Sequence, residues 1–209
     1  MYTLITAPRT RGTRVTWILE ELGVEYAVKI RSPRDPEVKA VNPLRKLPVL
    51  VADDLVLTES AAICTYLADR HDTPSLSPAP GTTERARFDE WNYYVLTDLE
   101  APLWYFSKNA FLYPEKVRVP EILPACRREF ARSVEALARR LGDNEFLVGE
   151  AFSVSDILCG HTLAWARAVQ FELSSENVRD YADRVLARPA LERARSRELG
   201  ASAKTQDSV

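Results

Sequence analysis

A chain of 209 residues, 46% of them hydrophobic, can bury a sizeable apolar core in one large or two small domains, and its formal charge of −2 offers no general attraction to nucleic acid or to an anionic membrane. No apolar run approaches the ~20 residues that span a bilayer, and Met1 leads straight into YTLIT without the basic and long apolar segments of a signal peptide, so a cytoplasmic location is expected. Three cysteines, Cys64, Cys126 and Cys159, lie far apart and without CxxC spacing, as expected of buried thiols in a reducing compartment.

Residues 1 to about 71 alternate strand and helix signals. YTLIT at 2–6 reads as a strand; Val15, Ile18, Leu19 and Leu22 then recur at helical spacing until Gly23 provides a stop. Tyr26, Val28 and Ile30 alternate with Glu25, Ala27 and Lys29, the pattern of a half-buried second strand. Asp35 is a cap followed by Pro36 at the first helical position, opening a short helix that stops before Asn42-Pro43. The third strand, LPVLV at 47–51, contains Pro48, which cannot donate to a sheet ladder and demands an edge or a special backbone. A cis peptide at Leu47-Pro48 satisfies that demand. Asp53-Asp54 turns the chain into a fourth strand at 55–57, and Ser60 is read as the cap of a helix with Ile63, Tyr66 and Leu67 on one face. A βαβ half followed by a hairpin and a helix is a thioredoxin-like α/β arrangement.

DTPSLSPAPGTT at 72–83 has no helical pattern and reads as a linker, and everything after it is helical. The expected organisation is therefore a domain at 1–72, a linker at 73–83 and an all-α domain at 84–209. Residues 84 to about 109 read as one long helix kinked by Pro102. Cys126, Phe130, Val134, Leu137 and Leu141 form the seam of the next, which stops at Gly142. Ser153-Val154-Ser155-Asp156 is a capping box, with Phe152 and Ile157 at the staple positions, so Asp156 is assigned a structural role. The polar end, GASAKTQDSV at 200–209, is expected to fray.

NPLRKLPVLV at 42–51 and LTES at 57–60 also carry chemistry. A cis proline turns the amide and carbonyl of Leu47 outward, where a peptide-like ligand can pair as an added strand. The helix start at Ser60 offers N–H groups and a positive dipole end to a carboxylate, and Glu59 can pair with an ammonium. One α-amino acid end fits both groups. The whole stretch resembles the glutathione-binding domain of the cytosolic glutathione transferases, in which the proline is cis and a Glu/Gln-Ser pair holds the γ-glutamyl group. TAPRTRGTRVTWILEELGVEY at 6–26, FSVSDI at 152–157 and LARPAL at 186–191 extend the resemblance over nearly the whole chain.

The resemblance implies the glutathione transferase fold, a thioredoxin-like domain followed by a helical bundle, with glutathione as co-substrate, no metal, and a homodimer. In many bacterial members the catalytic loop reads Ser-Pro-x-Ser, the second serine donating to the thiolate; in Ala7-Pro8-Arg9-Thr10 that place is taken by Thr10, whose methyl group restricts its rotamers. Thr10 is the catalytic candidate, with a plain helix cap as the alternative reading. Arg9, Arg11 and Arg14 either add positive potential or form a solvated face. Arg45 stands where the family usually has glycine, which argues for a backbone that tolerates a side chain there. Lys46 matches a frequent lysine and is the candidate for the glycyl carboxylate. With Leu47, Pro48, Glu59 and Ser60 it makes up the expected glutathione-binding set. Trp104, Tyr105, Phe106 and Trp165 are candidates for the apolar wall that receives a small electrophilic co-substrate, while His71 and His161 have no ligand spacing. The implied activity is glutathione S-transfer. Dehalogenation, ether cleavage, isomerisation and peroxide reduction use the same thiolate, and a non-enzymatic binding or regulatory protein on the same fold is the alternative. The lack of a cysteine at Thr10 argues against disulfide exchange.

Overall fold

The structure is a computed structural model that describes residues 1–206. Four strands, β1 (Tyr2–Thr6), β2 (Tyr26–Ile30), β3 (Val49–Ala52) and β4 (Leu55–Thr58), form one mixed sheet in the order β2-β1-β3-β4. β2 lies parallel to β1, as a crossover through helix α1 (Gly12–Leu22) requires, and β3 and β4 form an antiparallel hairpin against the other side of β1. Side chains alternate across the sheet. Ile5 and Val49, opposite each other in register, join Val38 of helix α2 (Pro36–Val41) in one cluster, with Leu47 packed at its margin. Leu4 and Leu50, the next pair, are fully buried, as are Val15 and Ile18 of α1 and Ile63 and Leu67 of α3 (Ser60–Arg70).

Local signals set most element ends here. α1 stops at Gly23, whose φ of 63° is left-handed backbone that glycine adopts without steric cost. Asp35 caps α2 by accepting from the Glu37 N–H at 2.8 Å, with Pro36 at the first helical position. The Leu47-Pro48 peptide is cis. The strand nevertheless begins at Val49, so Pro48 precedes β3 rather than lying inside it, as a residue without an N–H must where the ladder starts.

The chain divides into two compact units, residues 1–77 together with 187 onward, and residues 78–186. The last helix, α9 (Pro189–Gln206), therefore belongs in space with the first unit, although it follows the linker in sequence. It packs along α1 through polar as well as apolar contacts. Arg188 makes a forked pair with Glu21, at 2.6 and 2.8 Å, and Thr13 and Thr16 both donate to the buried carboxylate of Glu198. Fraying does not begin at residue 200: α9 continues to Gln206 through Ala201 and Ala203, good helix formers. The rest of the expected frayed end, residues 207–209, lies outside the described residues.

The second unit holds α4 (Thr83–Tyr94), α5 (Glu100–Ser107), α6 (Leu123–Leu141), α7 (Val154–Ala168) and α8 (Glu176–Leu186). The long helix expected from residue 84 is interrupted by two wide π-type turns, Val95–Leu99 and Lys108–Leu112. Pro102 explains the first. It has no N–H for the carbonyl four residues back, that of Asp98, and the backbone widens just before it. Asp98 O instead accepts the Ser133 hydroxyl of α6 at 2.9 Å. The apolar seam of α6, Cys126, Phe130, Val134, Leu137 and Leu141, is buried throughout, and the helix stops at Gly142.

At the start of α7 the capping box forms, and Asp156 does more than cap. Its buried carboxylate accepts from the Ser153 N–H (2.9 Å), the Ser153 hydroxyl (3.0 Å), the Leu147 N–H (3.0 Å) and the Tyr181 hydroxyl of α8 (2.8 Å). Burial pushes this carboxyl above the usual carboxylate range, against the pull of those donors.

Candidate functional site

The sheet register gathers three loops at one end of the sheet. Ile5 pairs with Val49 and Val49 with Thr58, so the loop leaving β1, the Leu47-Pro48 entry to β3 and the Glu59-Ser60 exit from β4 emerge side by side. Thr10, Leu47, Pro48, Glu59 and Ser60 are thus carried to one edge by backbone pairing alone. Trp104, Tyr105, Phe106 and Trp165 belong to the second unit.

The loop after β1 runs close under the strand end. A Cβ at Gly12 would lie 1.7 Å from Thr6 Oγ1, so only glycine fits at the start of α1. Thr10 Oγ1 accepts from the Gly12 N–H at 3.1 Å and donates to Ala7 O at 2.7 Å. The oxygen thus serves the first turn of the helix, the capping role read as the alternative for this residue, while the hydroxyl proton is directed at Ala7 O and would have to turn from it to serve a thiolate. Arg9 is exposed, with a positive φ of 61°.

Arg14 is not part of a solvated face. It is fully buried and reaches across to α3, where its Nη1 donates to Ser60 Oγ at 3.2 Å. Ser60 is itself buried and is the first residue of α3, not its cap; Glu59 holds the cap position with φ 69° and ψ 109° and makes no capping bond with its side chain. The Ser60 oxygen is engaged by Arg14 as an acceptor, which leaves its proton for a ligand. A buried guanidinium beneath the positive end of a helix favours an anion. A non-glycine residue with the backbone of Glu59 is costly and uncommon away from functional positions. One turn further on, the Cys64 thiol is buried and pushed up to about 12, with Arg14 pulling the other way, so Cys64 is not a nucleophile near neutral pH.

Asn42 organises the loop before β3. Its Oδ1 accepts from the Leu44 N–H at 3.1 Å, its Nδ2 donates to Lys46 O at 2.9 Å, and its carbonyl accepts from the Arg45 N–H at 2.8 Å. Arg45 adopts φ 52°, so this position keeps the left-handed backbone that suits glycine, contrary to the expectation of a conformation friendlier to side chains. Arg45 and Lys46 are exposed, Leu47 is half-buried against the Ile5 cluster, and Pro48 is buried.

In the second unit Trp104 and Trp165 meet edge to face, with ring centroids 6.3 Å apart, and Lys108 Nζ stands 3.9 Å from the ring centre of Tyr105 and 5.3 Å from that of Trp104. Phe106 turns the other way. It packs on Phe171 at 4.8 Å, and Phe171 packs on Phe130 of α6 at 5.2 Å, so Phe106 belongs to that aromatic cluster rather than to a wall with Trp104. His71 Nε2 is 2.9 Å from the Tyr2 hydroxyl. Among the described residues no group of three or more His, Cys, Asp or Glu side chains is placed to hold a metal.

The burial of Arg14, a residue already expected to add positive potential or lie on a solvated face, and the loop bonds of Asn42 go beyond those expectations. Arg14 shares its helix face with Trp17 and Ile18, and that spacing was a usable sign of burial. Asn42 looked like no more than a helix end before proline, and nothing local marks its bonds to the loop.

The profile of the family described as "Glutathione S-transferase, N-terminal domain" matches residues 11–70, and that described as "Glutathione S-transferase, C-terminal domain" matches residues 120–199. Among curated proteins the chain is similar to Glutathione S-transferase GstA of Escherichia coli, with 29% identity covering 86% of this chain and 90% of that protein. It is also similar to Disulfide-bond oxidoreductase YfcG of Escherichia coli, with 28% identity covering 91% of this chain and 92% of that protein. Among solved structures, the bacterial beta class glutathione S-transferase of Sphingomonas chungbukensis superposes with a TM-score of 0.83 at 26% identity, covering 94% of this chain and 98% of that one. With the N- and C-terminal domains matched in order and these three similarities each spanning most of both chains, the protein belongs to the glutathione S-transferase family.

Proposed function

We propose that the protein is a cytoplasmic glutathione transferase whose first domain, residues 1–72, binds glutathione as a thiolate that attacks an apolar electrophile. The observation that carries this reading is the convergence of Thr10, Leu47 and Glu59-Ser60 at one sheet edge, with Arg14 buried against Ser60. The γ-glutamyl carboxylate accepts from the Ser60 hydroxyl and the first N–H groups of α3, and the exposed Glu59 pairs with its ammonium. The Leu47 backbone pairs with the cysteinyl unit, and Lys46 meets the glycyl carboxylate. This places the thiol toward the start of α1.

A thiol of pKa about 8.5 must lose about two units to be mostly ionised at neutral pH, which takes roughly 2.7 kcal/mol of preferential stabilisation of the anion. The helix dipole and a donor at Thr10, hydroxyl or backbone, supply it. The proton leaves to solvent, the sulfur lone pair forms the new S–C bond, and the leaving group departs with the electron pair of the bond it loses. Trp104, Tyr105 and Trp165 are the proposed contacts of the electrophile, and the proposed assembly is a two-fold homodimer. No helix among the described residues is long and apolar enough to cross a membrane.

A second reading, glutathione-dependent disulfide reduction, is favoured by the relative named a disulfide-bond oxidoreductase. All three cysteines of this chain are buried, so bound glutathione and not a protein thiol would attack the disulfide. Saturable binding of glutathione by calorimetry, followed by turnover with a chloronitrobenzene and with a small dialkyl disulfide, tests both readings. Saturation with S-aryl product supports the first, and turnover of the disulfide alone the second. No binding at millimolar glutathione overturns both.

A further inference from the structure

We infer that Asn42 is a positioning residue for glutathione, which it never touches, because it fixes the plane of the Lys46-Leu47 peptide whose N–H the tripeptide meets. The inference rests on the reading of Leu47 as the backbone partner of glutathione. Residues 43–46 are all exposed, so side-chain packing does not order this loop. Asn42, by contrast, is buried, and its own N–H is bonded to Val38 O of α2 at 2.8 Å, which anchors it to an element that is already held by the core. From that anchor it makes three bonds into the loop, to the Leu44 N–H, the Arg45 N–H and the Lys46 carbonyl.

The last bond is the decisive one. The Lys46-Leu47 peptide is not one of the cis bonds, and in a trans peptide the C=O and N–H point in opposite directions. With the Lys46 carbonyl drawn to Asn42 Nδ2 at 2.9 Å, the Leu47 N–H is aimed away from Asn42. On the other side, the Leu47 side chain is held by Ile5, Val38 and Val49, so the peptide is pinned at both ends. Only a side-chain amide carries the required acceptor and donor together at this length. An aspartate has the same shape and keeps the acceptor for the Leu44 N–H, but turns an oxygen toward Lys46 O.

The test compares the full chain with Asn42→Asp and Asn42→Ala, measuring glutathione Kd by calorimetry, KM and kcat with a chloronitrobenzene, the titration of the bound thiol, and thermal melting. Loss of one orienting hydrogen bond is expected to raise Kd and KM for glutathione about tenfold in both variants. Because the start of α1 is untouched, kcat at saturating glutathione should stay within about twofold and the bound thiol should titrate as in the parent. Should Asn42→Ala melt below the assay temperature, Asn42→Asp, which keeps the bond to Leu44, carries the comparison. A folded Asn42→Asp with the parent's Kd overturns the positioning role alone. So does a variant in which kcat, thiol titration and melting fall together, since that is the signature of general loosening. A parent that shows no saturable glutathione binding overturns the reading of Leu47, and this inference with it.

Discussion

Replacing Asp156 by alanine tests how far one carboxylate holds the second unit together. Four donors lose their acceptor: the N–H groups of Leu147 and Ser153 and the hydroxyls of Ser153 and Tyr181. Ser153, Asp156, Leu147 and Tyr181 are all buried, so water does not readily replace the lost oxygens. The Ser153 hydroxyl can rotate to another partner and the Tyr181 hydroxyl can turn toward Cys159, whereas the N–H groups of Leu147 and Ser153 are fixed by the backbone. At about 1–3 kcal/mol for each buried donor left unsatisfied, and with the desolvation of the carboxylate relieved in return, the net loss is about 3–5 kcal/mol. Loss of a helix cap alone costs only about 1 kcal/mol. Denaturant unfolding of parent and variant, compared at equal slope, measures the difference. A loss of about 1 kcal/mol or less would refute the reasoning and reduce Asp156 to a local cap.

Ser60→Ala removes the proposed donor to the γ-glutamyl carboxylate and should weaken glutathione binding by about 1.5–3 kcal/mol with folding intact; calorimetry returning the parent's Kd would place the clamp elsewhere. Thr10→Val keeps the shape and removes the hydroxyl, so the bound thiol should titrate at higher pH and conjugation near neutrality should slow, whereas Thr10→Ser should retain activity; thiolate absorbance unchanged in the valine variant would assign activation to backbone N–H groups. Glu37 is held below the usual carboxylate range by its hydrogen bonds from Lys29 and Arg31. A carboxylate whose folded pKa is depressed contributes stability that is complete above its unfolded value, near 4.3, and is lost as pH falls through the folded value. Glu37→Gln should therefore destabilise the protein at neutral pH, and the gap to the parent should close on acidification below pH ~4 in urea titrations at a series of pH values.

Features that depend on neighbours in sequence are legible in the residues themselves. Gly23 ends α1, Asp35-Pro36 opens α2, and Ser153 with Asp156 starts α7, because each places a backbone torsion or a hydrogen-bond partner within four residues. The candidate site is legible to the same extent, since Pro48 and Glu59-Ser60 announce a backbone interruption and a helix start by residue type alone. What those residues do there is decided by distant parts of the chain. Ser60 is the first helical residue and not the cap, with its oxygen engaged by Arg14 from another helix. Arg14 is buried because α3 and α9 both close over α1, which no charge count reveals. The turn at Val95–Leu99 is completed by a hydroxyl from α6, and α9 returns to α1 through Glu198, more than 180 residues from the threonines that bond it. A local pattern sets which torsions and partners a residue can accept, while burial and long-range hydrogen bonds select among them, and these exist only once the elements have packed.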